Sequence, residues 1–419
     1  MKKINFTIML LITLFFISNQ AKSQITLHED AEVSLLTASP WNGAVYALFG
    51  HTAIYIHDDS TGVDAVFNYG YFDPTQPNFI YNFIRGKTDY ILGVDFYDQF
   101  IAEYSYKGQK VTKQILNLSA AEKQQLYNAL YINSLPENRG YRYNYFYDNC
   151  ATRPRDMIEK YSKSQIIYPE TSKEQTYRDL VHECLIDYPW FEFGIDLLIG
   201  SDADRIINVR EKMFIPSYLM DSFEGALFQS NDSASNNLVG NTEILLEHNA
   251  ERNNPGKKTF FTPLVAALFL LLLTIFVSIN QIYKLNKSRI PRIFDTILFG
   301  IAGAAGTIIF VLMYFSEHPA TNPNWNFAWL NIFALFAAIL FWVKPAKNIV
   351  YFYHFINFVV LTLFLLSWWF LPQHLPYETI LFSLCLWGRS GVNALLLNKK
   401  RRVNSRFTSS RYMKAGWGQ

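Results

Sequence analysis

Residues 141–156 read YRYNYFYDNCATRPRD, and the reading of the first half of the chain turns on them. Tyrosines at 141, 143, 145 and 147 recur with a period of two, the alternation of a strand with one aromatic face. Beyond Asp148-Asn149-Cys150 the apolar residues fall at Met157, Ile158 and Tyr161, a helical spacing. The stretch therefore predicts a strand running into a helix, with a cysteine at the corner. A thiol there sits near free backbone N–H groups and the positive end of a helix dipole, and both favour thiolate. Cys150 is thus the candidate nucleophile, and a nucleophilic cysteine needs a base.

The candidate base is His51, in FGHTAIYIHD. Residues 44–58 and 63–71 read as two strands joined around Asp59-Ser60-Thr61-Gly62. With the turn centred near residue 60, His51 faces Asn68, Ala53 faces Val66 and Tyr55 faces Asp64. The other face, from Thr52, Ile54 and Ile56 to Phe67 and Tyr69, is almost wholly apolar and belongs to the core. An imidazole base needs a third group to fix its tautomer. Asn68 is expected to supply it, with Asp73 in reserve. Arg153 and Arg155 beside the cysteine are candidates to hold a substrate phosphate or carboxylate; a salt bridge to Asp156 or Glu159 is equally open. Tyr55, on the strand face of His51, is a further candidate substrate contact. Pro154 restricts how regular the helix can be just after the cysteine. His57 lies six residues from His51, roughly 20 Å along a strand, so the two cannot share a zinc ion. Asp202 and Asp204 lack the ligand spacing of a calcium loop. No metal and no cofactor is expected.

The chain has 419 residues, 50% hydrophobic and 17% aromatic, with a net charge of +2, enough length for more than one domain. Residues 1–23 read as a secretory signal: Lys2 and Lys3, an apolar run over 8–17, then Ala21-Lys22-Ser23 as a small-x-small cleavage site. An uncleaved anchor is the alternative, though the run is short for a span of ~20 residues. Residues 24–227 read as one α+β domain, with strands also at 90–97 and 110–118. A capping box, Ser119 and Glu122, opens a helix to about residue 135. Residues 228–258, rich in Ser, Asn, Asp and Gly, read as a linker. Two of the three cysteines, Cys150 and Cys184, fall in the exported domain, so a disulfide is an open alternative there.

Five apolar segments follow, at 260–280, 293–315, 325–343, 349–371 and 377–397, each of a length that crosses ~30 Å of hydrocarbon. They define an all-α membrane domain over 259–398 with a basic tail over 399–419. Lys and Arg gather after the first, third and fifth segments, while SEHPATNPN and PQHLPYE carry none. The asymmetry predicts a cytoplasmic C-terminus and the α+β domain on the outer side. It also accounts for the only dense basic run, so no nucleic-acid partner is expected. Gly300, Gly303 and Gly306 suit close helix packing. Arg389, well inside the fifth segment, is expected to snorkel to the cytoplasmic face, pairing with a polar group in the bundle being the alternative. His318, Asn324 and Trp325 in the outer loop are candidates to bind lipid headgroups, an interfacial Asn/Trp belt being the alternative.

The blocks FGHTAIYI, VFNYGYFD, KVTKQILNLS, YNYFYDNCATRPRD, FGIDLLIG and SEHPATNPNWN resemble the Lnb family of Bacteroidetes over nearly the whole mature chain. That family pairs a periplasmic papain-like domain with a five-helix membrane domain. The order His first, Cys later is similar to that of circularly permuted papain-like acyltransferases such as lecithin:retinol acyltransferase. The resemblance implies lipoprotein N-acylation at the inner membrane. An acyl chain would pass from a membrane phospholipid to the cysteine, then to the α-amino group of a diacylated lipoprotein. By motif, Cys150 and His51 match the family's catalytic positions. Two other readings stay in view: a papain-like hydrolase, either a cell-wall peptidase or a phospholipase, and a non-enzymatic binding partner of another envelope protein.

Overall fold

The computed structural model describes residues 25–415 apart from 74, 76, 172, 230–235, 255–258 and 284–287, and no side chain beyond 399. The signal segment, 1–23, lies outside the described residues. The strands are β1 (Glu32–Ala38), β2 (His51–Asp58), β3 (Val63–Tyr71), β4 (Asp89–Asp95), β5 (Val111–Leu116), β6 (Gly140–Arg142) and β9 (Val239–Leu246), with a two-stranded ribbon of β7 (Ile166–Ile167) and β8 (Leu227–Phe228). The first seven form one sheet in the order β6-β4-β3-β2-β1-β5-β9, antiparallel throughout.

Between and after the strands run α1 (Phe79–Ile84), α2 (Tyr97–Lys107), α3 (Ala120–Ser134), α4 (Thr152–Tyr161), α5 (Tyr177–Leu185), α6 (Pro189–Leu198), α7 (Val209–Lys212) and α8 (Pro216–Glu224). Alternation along the strands fills both faces of the sheet. Ile54, Ile56, Phe67 and Tyr69 point to one side and pack with Leu126 and Leu130 of α3, Ile158 of α4 and Phe223 of α8. Ala53, Tyr55 and Val66 point to the other, under Phe100 and Tyr104 of α2. The expected capping box at the head of α3 is present, with Ser119 and Glu122 each bonding the other's backbone N–H.

Four expectations for the α+β region need correction. The hairpin register is displaced by two residues: Tyr55 pairs with Val66 and His57 with Asp64. A two-residue slip preserves parity, so every side chain keeps its expected face. The tyrosine strand stops at Arg142, because Asn144 turns the chain: its Oδ1 accepts from the N–H groups of Phe146 and Tyr147 at 3.2 and 3.1 Å. The expected strand over 44–58 starts only at His51, after a 3₁₀ turn at Val45–Phe49 and a Gly50 with φ 81°. Finally, β9 lies inside the stretch expected to be a linker, and it pairs with β5 to form the sheet's edge.

The C-terminal region consists of α9 (Pro263–Tyr283), α10 (Ile290–Phe315), α11 (Ile332–Leu340), α12 (Lys347–Leu366) and α13 (Glu378–Ala415). Among the described residues four helices are long and apolar enough to cross a membrane, while the third segment is a shorter one, Trp325–Leu340. Within it, α11 has nine residues, about 14 Å at ~1.5 Å per residue. It lies against α10, where a Cβ on Gly303 would come 2.1 Å from Leu335 N and one on Gly306 2.5 Å from Asn331 N. Those two glycines carry the expected close packing, and a Cβ on Gly300 would meet nothing within 4 Å among the described residues. Arg389 does not snorkel. It is fully buried and forms a bidentate pair with Asp295, Nε to Oδ1 at 2.6 Å and Nη2 to Oδ2 at 2.9 Å.

The two regions dock through α6 and the loop that follows α10. Gly200 N donates to Ala320 O at 2.6 Å, Ser201 N to Pro323 O at 2.9 Å, and Trp190 Nε1 to Phe261 O at 2.6 Å. Leu197 packs into the membrane core, and Ala320 packs into the second core of the α+β domain.

Candidate active site

His51 opens β2 and Asn68 lies one residue beyond Phe67, the last β3 residue paired with β2, so the displaced register makes them diagonal neighbours. Diagonal neighbours are within reach of side chains of this length. His51 Nε2 lies 3.0 Å from Asn68 Oδ1. The amide's other end, Nδ2, donates to Asp95 Oδ2, and the Tyr71 hydroxyl donates to the same oxygen at 2.6 Å. Asp95 ends β4, where Gly93 stands opposite Asn68. A Cβ on Gly93 would lie 2.0 Å from the Tyr71 ring, so its absence lets that ring lie across the strand toward Asp95.

This relay fixes the imidazole. A carboxylate only accepts, so Asn68 must turn its NH₂ to Asp95 and its oxygen to His51. Nε2 then carries the proton, and Nδ1 keeps the lone pair. Burial of the His51 ring holds its pKa below the ordinary 6.5, against smaller upward pulls from the Asn68 hydrogen bond, Glu103 and Asp95. The Tyr104 ring stacks beside it at 6.3 Å. Asp73, the reserve orienter, is spent on Thr75, whose N and Oγ1 it accepts at 2.8 and 2.6 Å. Asp95 was missed because it lies on a strand separated from β3 by residues 72–88, and a single-hairpin reading cannot reach across that gap.

Cys150 stands just ahead of α4. Asn149 builds the corner: its Oδ1 accepts from Ala151 N and Thr152 N at 2.8 and 2.9 Å, and its Nδ2 donates to Tyr145 O and Phe214 O, both at 2.8 Å. The free N–H groups at the head of the helix are therefore taken by Asn149 and do not aim at the sulfur. The donors that do reach it are the N–H of Cys150 itself and the N–H of Thr52, next to His51 in β2. Burial outweighs both and pushes the thiol up to about 11. The expected thiolate bias is thus reversed at rest. Gly70, at φ +106°, brings the end of β3 against the cysteine, its Cβ position 3.5 Å from Cys150 Cβ. Cys150 and the His51–Asn68 pair therefore lie at the same end of the sheet. All three cysteines are free, so Cys150 and Cys184 are not bridged.

Around the thiol the tyrosines form an apolar wall. The hydroxyls of Tyr141 and Tyr145 are buried with no hydrogen-bond partner among the described residues. The other candidates are engaged elsewhere. Arg153 grips Asp148 through Nε and Nη2 at 2.5 and 2.8 Å and lies over the Tyr141 ring at 3.6 Å. Arg155 is buried, bonded to Asp156 and to Arg210 O. Tyr55 bonds Asp64 at 2.8 Å under α2. His318 Nε2 lies 2.6 Å from Phe83 O, and Asn324 donates to Leu197 O and Leu198 O at the end of α6. Asn324 and His318 thus join the two regions. The Trp325 side chain is exposed, while the residue's backbone N–H donates to Gln373 Oε1.

Two family models match, the Lnb N-terminal periplasmic domain over residues 19–183 and the Lnb transmembrane domain over residues 255–401. No curated protein and no solved structure matches the chain. The two matches fall within the two regions described above, the first ending inside α5 of the α+β sheet domain that holds Cys150 and His51, the second covering the bundle of apolar helices. A chain with a periplasmic domain joined in this way to a membrane domain, both matched by models of one family, belongs to the Lnb family.

Proposed function

We propose that the protein is a lipoprotein N-acyltransferase of the inner membrane, with a papain-like Cys150–His51–Asn68 site on the periplasmic side and its C-terminus in the cytoplasm. The observation that carries the reading is the relay His51–Asn68–Asp95, which leaves His51 Nδ1 as a base at the sheet end where Cys150 stands. The absence of Lys and Arg from the loops after α10 and α12 supports the orientation.

The reaction follows from the residues. At rest both partners are neutral, because burial raises the thiol and lowers the imidazole. His51 Nδ1 takes the Cys150 proton as the sulfur attacks the ester carbonyl of a phospholipid, so no preformed thiolate is needed. The C–S bond forms, and the carbonyl oxygen becomes an oxyanion. The N–H groups of Thr52 and Cys150 and the unpartnered Tyr141 hydroxyl are the available donors for it. The C–O bond then breaks, and the lysophospholipid oxygen takes the proton from His51. In the second half the free α-amine of a diacylated lipoprotein attacks the thioester and gives a proton to His51. The C–N bond forms, the C–S bond breaks, and the proton returns to the sulfur. The tyrosine wall excludes water, which favours the amine over hydrolysis.

The test is to incubate the full chain with native membrane lipid and examine intact Cys150 peptides by mass spectrometry. An acyl adduct on Cys150 that vanishes on adding a diacylated lipopeptide, with the chain recovered on its N-terminus, is the expected result. Fatty acid released into water instead would make the protein a phospholipase.

A further inference from the structure

The short helix α1 (Phe79–Ile84) is the feature this site leaves unexplained. None of its residues is buried, and Ile80 is 73% and Tyr81 59% exposed, with Phe83 and Ile84 exposed beside them. A contiguous apolar face of this kind marks an interaction surface. Its position says what covers it. Immediately after α1, Glu317 N donates to Arg85 O at 2.9 Å, and Lys87 and Arg142 pair with the Glu317 carboxylate at 3.1 and 3.0 Å. Gly86, at φ +65°, makes this approach possible, since a Cβ there would lie 2.7 Å from His318 N. Residues 316–318 follow directly on Phe315, the last residue of α10, one of the four helices able to cross a membrane. The helix is therefore pinned where α10 leaves the hydrocarbon. At ~1.5 Å per residue it is about 9 Å long, so its whole apolar face stays within the ~5–10 Å depth that interfacial helices occupy.

Behind that face an aromatic row leads inward. Phe83 and Phe79 have ring centroids 6.1 Å apart, Phe79 and Phe72 5.7 Å, Phe72 and Tyr90 5.1 Å, and Tyr90 and Tyr143 4.2 Å. Tyr143 lies within electrostatic reach of the Cys150 sulfur. Phe72 itself follows two residues after Gly70, which abuts Cys150.

We propose that α1 is an interfacial membrane element whose apolar face lies in the leaflet next to the α+β domain, and that the aromatic row behind it guides the acyl chain of a bilayer lipid to Cys150. The second half of this inference rests on the acyl-transfer reading; the first half does not.

Two measurements separate them. In the full chain, Ile80→Cys in a Cys150→Ala, Cys184→Ala, Cys385→Ala background carries an environment-sensitive fluorophore in phosphatidylethanolamine–phosphatidylglycerol vesicles. Doxyl-labelled lipid should quench it, and should leave the same label at Tyr131→Cys on α3 unquenched. Equal quenching at both positions, or none at residue 80, overturns the membrane contact whatever the reaction turns out to be. In the otherwise native chain, Ile80→Glu with Ile84→Glu should slow acylation of Cys150 by bilayer phospholipid about tenfold or more, because charge opposes burial at the interface. Acylation by a water-soluble short-chain thioester should be unchanged. Equal loss with both donors, or no loss with either, overturns the lipid path. If native Cys150 takes an acyl group from neither donor, the acyl-transfer reading falls and the path with it, while the quenching result stands by itself.

Discussion

Two of the polar clusters among the described residues are built to opposite ends. In the membrane region Arg389 is surrounded: Asp295 takes two of its N–H groups, Ser278 and Gln281 take others, and Asn393 donates to Asp295 at 2.8 Å. The cluster closes on itself and ties α9, α10 and α13 together. In the α+β region the chain Tyr71–Asp95–Asn68–His51 is directed, and it ends at an Nδ1 with no hydrogen-bond partner among the described residues. A closed network specifies packing, whereas an open one leaves a proton acceptor to be used. Exchanging residues in each cluster should therefore damage different things, folding in one and chemistry in the other.

The largest effect is expected at the open end. Cys150→Ala should abolish the acyl-enzyme and lower lipoprotein N-acylation by at least about 10⁴-fold, as loss of a covalent nucleophile does. His51→Ala should fall nearly as far, and the double variant should be little worse than either, because the two act as one unit. The measurement is N-terminal mass spectrometry of lipoproteins from cells carrying each variant. Neither change should shift the melting temperature much, and full N-acylation with Cys150→Ala would sink the mechanism.

The closed cluster should respond in stability. Arg389→Leu leaves the Asp295 carboxylate buried without its counter-charge, a loss of about 3–5 kcal/mol. Removing the second charge as well, with Asp295→Leu, should restore much of it, since an apolar pair of similar volume replaces a closed ion pair with little net cost. Thermal unfolding in detergent or nanodiscs of the two single variants and the double variant measures this. A double variant as unstable as the sum of the singles would show that the cluster has work beyond packing.

The contrast also explains what could be read from the residues alone. The open cluster was half legible. The contact between His51 and Asn68 was legible because strand parity puts both on one definable face, and parity survives the two-residue slip that the hairpin turn introduces. Asp95 was hidden, since its pairing depends on how 72–88 fold between two strands. The corner at Cys150 was legible as a place but not in its electrostatics. Asn149 consumes the helix-end donors, and that cannot be seen until the chain turns at Asn144. In the membrane region hydrophobicity marked the apolar segments but could not decide between a snorkelling and a paired Arg389, because the partner is 94 residues away. β9 was read as linker for a related reason: an exposed edge strand carries the polar residues that linkers do.

The smallest expected effect discriminates most finely, because its sign is fixed by geometry. His51 must be neutral to take the thiol proton, so activity should fall on acidification. Burial holds the imidazole below 6.5, which places that acid limb below 6.5. By the same shift, the neutral ring contributes stability that is present above 6.5 and lost as the pH falls toward the lowered folded value. Asp95 and the Asn68 bond pull the pKa upward, so Asp95→Asn should move the acid limb to still lower pH. It should also cost about tenfold in the plateau rate, because an Asn at 95 no longer dictates which way the Asn68 amide points. Lys107 pulls the other way, and Lys107→Met should move the limb to higher pH with little change in plateau. A pH–rate profile of Cys150 acylation by a soluble thioester reads both shifts. Opposite displacements support an oriented His51 acting through Nδ1. Displacements of the same sign, or none from Asp95→Asn, would leave Asp95 as a strand-end ion that braces the sheet and nothing more.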